Sequence, residues 1–237
     1  MRRRLRAAWR RLIDLRHWLI LRRRIEAGRS PQYRDYLETQ LRRTLSKRAN
    51  DPGIGARVLI DQVARQRHST RAAVLCVGCR NGVEIDEFRA RGFENVVGID
   101  LFSQRDDILV MDMHEMTFAD DSFDVVYASH ALEHAYDVDT ILWEIARVGR
   151  DGALVAVEVP VRHRASTADR VEFSGIEELR QTLRPYIREQ LWGEEQPPHS
   201  ATNVQGSDIA RIVFRLRKEG LLRVPPPPPG TRAAAPS

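Results

Sequence analysis

An α/β fold with a mostly parallel sheet is what this sequence predicts, and three observations predict it. Apolar runs rich in valine and isoleucine recur at 72–77, 96–100, 108–111, 123–128 and 153–159, with helix-patterned segments between several of them. Strand and helix alternating in this way build a parallel sheet covered on both faces. The first run feeds a glycine-punctuated turn, Gly78-Cys79-Arg80-Asn81-Gly82, and the second ends on Asp100, 22 residues after Gly78. At 237 residues and 42% hydrophobic composition, the chain suits one such domain with extensions.

The elements follow in order. Over 2–27 a basic amphipathic helix is expected, because Leu5, Ala8, Trp9, Leu12, Leu15 and Leu19 fall at three- and four-residue steps among arginines. Ser30-Pro31 interrupts it, since proline restricts the residue before it and starts helices well. Tyr33, Tyr36, Leu37, Gln40, Leu41 and Leu45 form the stripe of a second helix, which Asn50-Asp51-Pro52-Gly53 ends. A third helix over 54–66 leads into the first strand, and a fourth over 82–90 follows the glycine turn. Over 138–148 a helix buries Ile141, Leu142, Ile145 and Val148. A last helix at 177–183 stops near Pro185, and 186–192 with 209–216 read as a terminal antiparallel hairpin, making seven strands. The Pro225–Pro229 run and the alanines after it cannot build a core and are expected to be extended or disordered. The organisation is a basic helical extension (1–50), a cofactor-binding domain (51–222) and a Pro/Ala-rich tail (223–237).

The glycine turn narrows the ligand. Gly78 and Gly82 let backbone approach a ligand closely, and the helix after Asn81 aims free N–H groups into the same cleft. A terminal acid such as Asp100 accepts hydrogen bonds from ribose hydroxyls. The dinucleotide fingerprint needs G-x-G-x-x-G, yet Arg80 stands at its middle glycine and no glycine follows Gly82 where one is required. A bulky arginine there argues against NAD or FAD.

Five segments in order resemble the class I S-adenosylmethionine-dependent methyltransferases, in particular the small-molecule type. Val74 to Gly82 resembles the first motif, 96–100 the second and Ile108 to Met113 the third; 122–134 resembles the fourth-strand motif with its Leu-Glu-His tail, and 147–160 the following helix, turn and fifth strand. The resemblance implies a Rossmann-like fold and S-adenosylmethionine as cofactor. It implies that Gly78, Cys79, Arg80 and Gly82 hold the methionine end, Asp100 with Leu101 the ribose side, and Asp112 with Met113 the adenine, with Ser129 beside them. Two positions depart from the pattern. Cys76 stands where the family often has an acid that helps hold the methionine amino group, and Arg80 replaces a small residue. Arg80 either salt-bridges the cofactor carboxylate or turns away against a neighbouring loop.

Only two cysteines occur, Cys76 and Cys79. No third cysteine completes a zinc site, and the pair begins inside a strand, so the spacing reads as two reduced thiols lining the cofactor turn. That usage points to a reducing, cytoplasmic compartment. The sequence contains no apolar run long enough for a membrane span, and no secretory signal is expected. Residues 1–50 carry 16 basic and 4 acidic side chains, whereas the rest carries 22 and 29, so the pI near 9.7 describes an arm rather than the whole protein. The arm suits an anionic membrane surface or a partner protein; nucleic acid is disfavoured because the domain itself is acidic.

Methyl transfer needs in-line placement, exclusion of water and, for O–H or N–H acceptors, removal of a proton. His130, just past the fourth strand, is the candidate general base, the alternative being a hydrogen-bonded wall residue. His134 and Glu133 read as structural. Arg162, His163 and Arg164 lie in a segment expected to cover the acceptor pocket and could attract an anionic group, or form a solvated loop. Asp106/Asp107 and Asp120/Asp121 are adjacent pairs whose carboxylates point apart, so no metal is expected. The reading is methyl transfer to O or N of a small molecule, lipid precursor or saccharide. The rival is a catalytically silent S-adenosylmethionine-binding or scaffold protein; a nicotinamide dehydrogenase is a more distant third.

Overall fold

The structure, a computed structural model, describes residues 29–46, 53–66, 69–103, 105–203 and 206–221. The expected helix over 2–27 and the Pro/Ala-rich tail lie outside the described residues. Two helices, α1 (Pro31–Ser46) and α2 (Gly53–Gln66), precede β1 (Ala73–Val77), α3 (Val83–Ala90), β2 (Asn95–Asp100), β3 (Ile108–Val110) and β4 (Phe123–Ser129). A 3-10 turn at Leu132–His134, α4 (Val138–Val148), β5 (Gly149–Val161), α5 (Ile176–Leu183), β6 (Ile187–Gln196) and β7 (Asp208–Leu216) complete the order.

The seven strands form one sheet in the order β3-β2-β1-β4-β5-β7-β6. The first five run parallel, and β7 enters antiparallel between β5 and β6. The expected hairpin is therefore present, with its second strand inside the sheet and its first at the edge. The fifth strand is longer than its apolar run: Gly149 already pairs with Phe123, and the ladder shifts register before Val125 meets Leu154.

Alternation along the strands divides the core in two. Leu75 and Val77 face one side, with Ile141, Leu142 and Ile145 of α4 and Leu179 and Leu183 of α5. Val74 and Cys76 face the other, with Leu59, Ile60 and Val63 of α2 and Ile85 and Phe88 of α3. Each fully buried aliphatic side chain contributes roughly 1.5–3 kcal/mol. Asp137 caps α4 by accepting the Thr140 N–H at 3.2 Å.

Residues 101–107 join parallel neighbours β2 and β3 without the helix such a crossover usually carries. Arg105 takes over the bracing: its guanidinium donates to Asp107 and to Asp86 of α3, all four contacts at 2.8 Å. Leu109 of β3, at this edge, is 41% exposed among the described residues.

Candidate functional site

A cavity of about 870 Å³ opens at the carboxyl ends of β1, β2 and β4, where a doubly wound sheet places its ligands. Residues 78–81 of the glycine turn form its floor, whereas Gly82, expected to hold the methionine end, is not among the lining residues and faces the Arg105 guanidinium. Gly78 and Gly82 both have φ of 73°, the left-handed region that side chains disfavour. The N–H groups of Gly78 and Cys79 donate to the Ile99 carbonyl at 2.9 and 3.3 Å, fixing the turn against β2. Cys79 lies among the lining residues, but its Sγ packs toward Gly98 and the Ile99 carbonyl, and Cys76 is buried in the same α2/α3-side core, so both thiols turn into the core rather than lining the cofactor turn as expected. Burial pushes both thiols above their ordinary pKa.

Asp100 lies on the wall next to the turn. One carboxylate oxygen accepts the Arg80 N–H at 2.9 Å and the other the Phe102 N–H at 3.2 Å. Burial nevertheless raises it to about 6, against the pull of those N–H groups and the Arg80 charge. Asp112 follows β3. Its Oδ1 accepts from the backbone and the ring Nδ1 of His114, both at 2.9 Å, and its Oδ2 accepts the Tyr33 hydroxyl at 2.6 Å. Burial opposes the Asp112 charge, but the His114 charge and these bonds together hold its pKa below the ordinary value. Leu101, Met113 and Ser129 line the cavity as well.

Past β4, a compact ionic cluster forms the opposite wall. His130 adopts φ of 51°. Its Nδ1 lies 3.2 Å from Glu133 Oε1, and its Nε2 3.3 Å from Glu158 Oε1 without hydrogen-bond alignment. Burial disfavours its charge, yet Glu133 and Glu158 outweigh burial and raise it to about 10. Ser129 donates its hydroxyl to Glu158 at 2.7 Å, and fully buried Arg211 pairs with Glu158 and Glu194. Despite burial, His130 and Arg211 hold Glu158 down at about 2. The two carboxylates thus favour the charged imidazolium, whereas the general-base expectation needs a neutral ring nitrogen.

The roof comes from α1 and the 162–175 loop. Tyr33, Tyr36 and Leu37 pack with Leu101 and Tyr136, and Gln40 donates to the Ala168 carbonyl at 2.6 Å. Of the three loop residues expected at the acceptor, only His163 lines the cavity, and both its ring nitrogens are buried without a partner. Arg162 points elsewhere because Asp208 and Glu195 hold its guanidinium at the surface, and exposed Arg164 is not among the lining residues.

Sequence reasoning missed Glu84, in the first turn of α3. Its carboxylate lines the cavity, its Oε2 is buried without a partner, and burial raises it to about 7. The signal was an acid two residues after the second glycine. The Glu158–Arg211 pair was missed too, although each charge interrupts an apolar run within its strand and the two fall opposite each other in the β5–β7 register. Among the described residues no group of three acidic, histidine or cysteine side chains is placed to hold a metal ion, and no helix is long and apolar enough to cross a membrane.

A family model described as a methyltransferase domain matches residues 75–157. Over 80 residues the chain is 35% identical to the methyltransferase GfsG of Streptomyces halstedii, covering 33% of this chain and 26% of that protein. The chain therefore spans about a quarter of that relative's length. Among solved structures it is similar to the 1,6-didemethyltoxoflavin-N1-methyltransferase of Burkholderia thailandensis, described with 1,6-didemethyltoxoflavin and S-adenosylhomocysteine bound, at TM-score 0.57 and 17% identity over 71% of this chain and 80% of that one. It is also similar to the [4+2]-cyclase SpnF, at TM-score 0.56 and 17% identity over 78% and 94%. A geranyl diphosphate methyltransferase, in complex with GPP and sinefungin, matches at TM-score 0.54 and 12% identity over 68% and 76%. At these identities the structures show a shared fold. The methyltransferase-domain match covers the core of the sheet, and the sheet order and glycine turn agree with the Rossmann-like methyltransferase fold of these structures.

Proposed function

We propose that this chain binds S-adenosylmethionine in the cavity and transfers its methyl group to O or N of a small molecule, lipid precursor or saccharide. The observation that carries the reading is that one cavity gathers residues 78–81 of the glycine turn, Asp100 and Asp112 together with buried, unpartnered oxygens of Glu84 and Glu133. Buried polar atoms without partners are costly, and a polar ligand repays that cost.

The residues fit such a cofactor. Each Asp100 oxygen accepts one backbone N–H and keeps a lone pair for a ribose hydroxyl. Asp112 Oδ2 keeps one beside the Tyr33 hydroxyl for an adenine amine. Leu101 and Met113 offer apolar surface to the base. Arg80 lines the cavity at the turn and is the candidate partner of the cofactor carboxylate. The bound cofactor supplies an electrophilic methyl group on a sulfonium. What the protein adds is placement and exclusion of water: α1 and the 162–175 loop close over the cleft, and His163 offers the acceptor a ring nitrogen from that roof. His130, held charged, orients Glu133 and Glu158 rather than taking a proton, so the acceptor atom must arrive already nucleophilic.

A second reading, a catalytically silent binding protein, draws on the same charged His130 and on SpnF, a similar fold named for a different reaction. Calorimetric titration with S-adenosylhomocysteine and with NAD tests the cofactor; tighter binding of NAD overturns it. Labelled S-adenosylmethionine added to a cell extract then tests turnover, and tight binding with no labelled product favours the silent protein.

A further inference from the structure

The first motif lacks its usual acid, and the structure shows where an acid stands instead. Cys76 occupies the position in β1, fully buried among Leu59, Ile60, Val74 and Phe88 and away from the cavity lining. Glu84 belongs to the same strand–turn–helix unit, two residues beyond Gly82. It lines the cavity with Arg80, Asn81 and Gly78. Its Oε2 is buried and has no hydrogen-bond partner among the described residues. A buried carboxylate oxygen in that condition requires a donor, and a cationic donor satisfies it best.

Resting on the cofactor reading above, we propose that Glu84 receives the α-ammonium of the S-adenosylmethionine amino-acid end, in place of the acid absent at position 76. The chemistry of the surroundings selects an ammonium over a neutral donor. The charged and titratable groups acting on Glu84 are Arg80 from the turn, Asp100 from β2 and His130 beyond β4, with Cys76, Cys79 and Tyr127 coupled to it from the strands beneath. Arg80 and His130 do not offset burial: the carboxyl stands at about 7, so near neutral pH it is partly protonated. An arriving ammonium pairs with the carboxylate form, and the proton leaves to solvent. Arg80, on the other side of Asn81, is placed for the carboxylate of the same ligand, which makes the turn a clamp for a zwitterion.

The test is titration calorimetry of the full chain with S-adenosylhomocysteine and with its desamino analogue, which keeps adenine, ribose, thioether and carboxylate but lacks the amine. Wild type is expected to prefer the amine-bearing ligand by about tenfold or more, as a charge-assisted bond to a buried carboxylate implies. Glu84→Gln is expected to bring the two affinities within about twofold by weakening the amine-bearing ligand alone. A variant that keeps the wild-type preference overturns the assignment. A measurement on wild type alone stands in if the variant does not fold. Near pH 7, in buffers of different ionisation enthalpy, S-adenosylhomocysteine should release more protons than the desamino analogue, and equal release overturns the proposal. If S-adenosylhomocysteine binds to neither protein, the cofactor reading itself falls and takes this assignment with it.

Discussion

Replacing Glu84 by glutamine should make the ligand-free protein more stable, and only above a defined pH. Burial raises the carboxyl from 4.5 to about 7. Between those values the folded state holds a proton that the unfolded chain has released, so stability falls as pH rises through the window and then levels off. The shift of about 2.5 units, at ~1.36 kcal/mol per unit, puts the full penalty near 3 kcal/mol above pH 7. Contact with cavity water reduces this, and a gain of about 2 kcal/mol at pH 8 is expected for Glu84→Gln. For a chain of this size that is a rise of roughly 4–8 °C in Tm. At pH 4 the carboxyl is protonated in both states, so variant and wild type should melt together. Urea or thermal unfolding at both pH values, followed by circular dichroism, reads the difference. A variant less stable than wild type at pH 8, or equally stabilised at both pH values, refutes the electrostatic reasoning. Greater stability with weaker ligand binding is what a functional, strained group produces.

Three further outcomes follow from other parts of the fold. His130, raised from 6.5 to about 10, contributes stability that is fully present below pH 6.5 and lost as pH rises through 10; His130→Asn, tolerated at φ of 51°, should flatten that alkaline slope in urea titrations. Arg211→Ala leaves Glu158 and Glu194 without their buried partner and should cost about 3–5 kcal/mol in unfolding free energy. A Cβ at Gly98 would stand 2.1 Å from Cys79 Sγ, so Gly98→Ala should lose about 1–3 kcal/mol and recover most of it when combined with Cys79→Ala, as paired denaturation curves would show.

The sheet was legible because its central parallel strands β1, β4 and β5 are buried on both faces and so read as unbroken apolar runs. The helix over 138–148 was equally plain, its stripe of Ile141, Leu142, Ile145 and Val148 being the face that packs on the sheet. The floor and walls of the cavity were legible in Gly78, Asp100 and Asp112 because they sit at fixed places relative to strand ends. The roof was not. Arg162 and His163 are adjacent in sequence, yet a φ of 53° at Arg162 and the pull of Asp208 and Glu195 send one outward while the other reaches the cavity. The role of His130 was hidden for a related reason. Its charge is set by Glu158, 28 residues on and opposite Arg211 in an antiparallel pairing that no local pattern announces.

That pairing separates scaffold from binding site within a single cavity. On the β4–β5 side each acid has its cation: Glu133 and Glu158 with His130, Glu158 and Glu194 with Arg211, Asp169 with Arg43 and His134. Glu133 and Glu158 accordingly lie below their ordinary pKa despite burial. On the side of the glycine turn the balance reverses. Glu84 and Asp100 stand at about 7 and about 6, raised because burial exceeds what Arg80 and the backbone N–H groups return. The fold has balanced the charges of the first arrangement by itself, as a structural network does, although Glu133 Oε2 there stays without a hydrogen-bond partner. It has left the second short of positive charge and hydrogen-bond donors, and perturbed acids in a cleft mark where a ligand completes the electrostatics. A ligand with hydroxyl donors at one end and an ammonium at the other supplies what Asp100 and Glu84 lack, in the order in which the turn presents them.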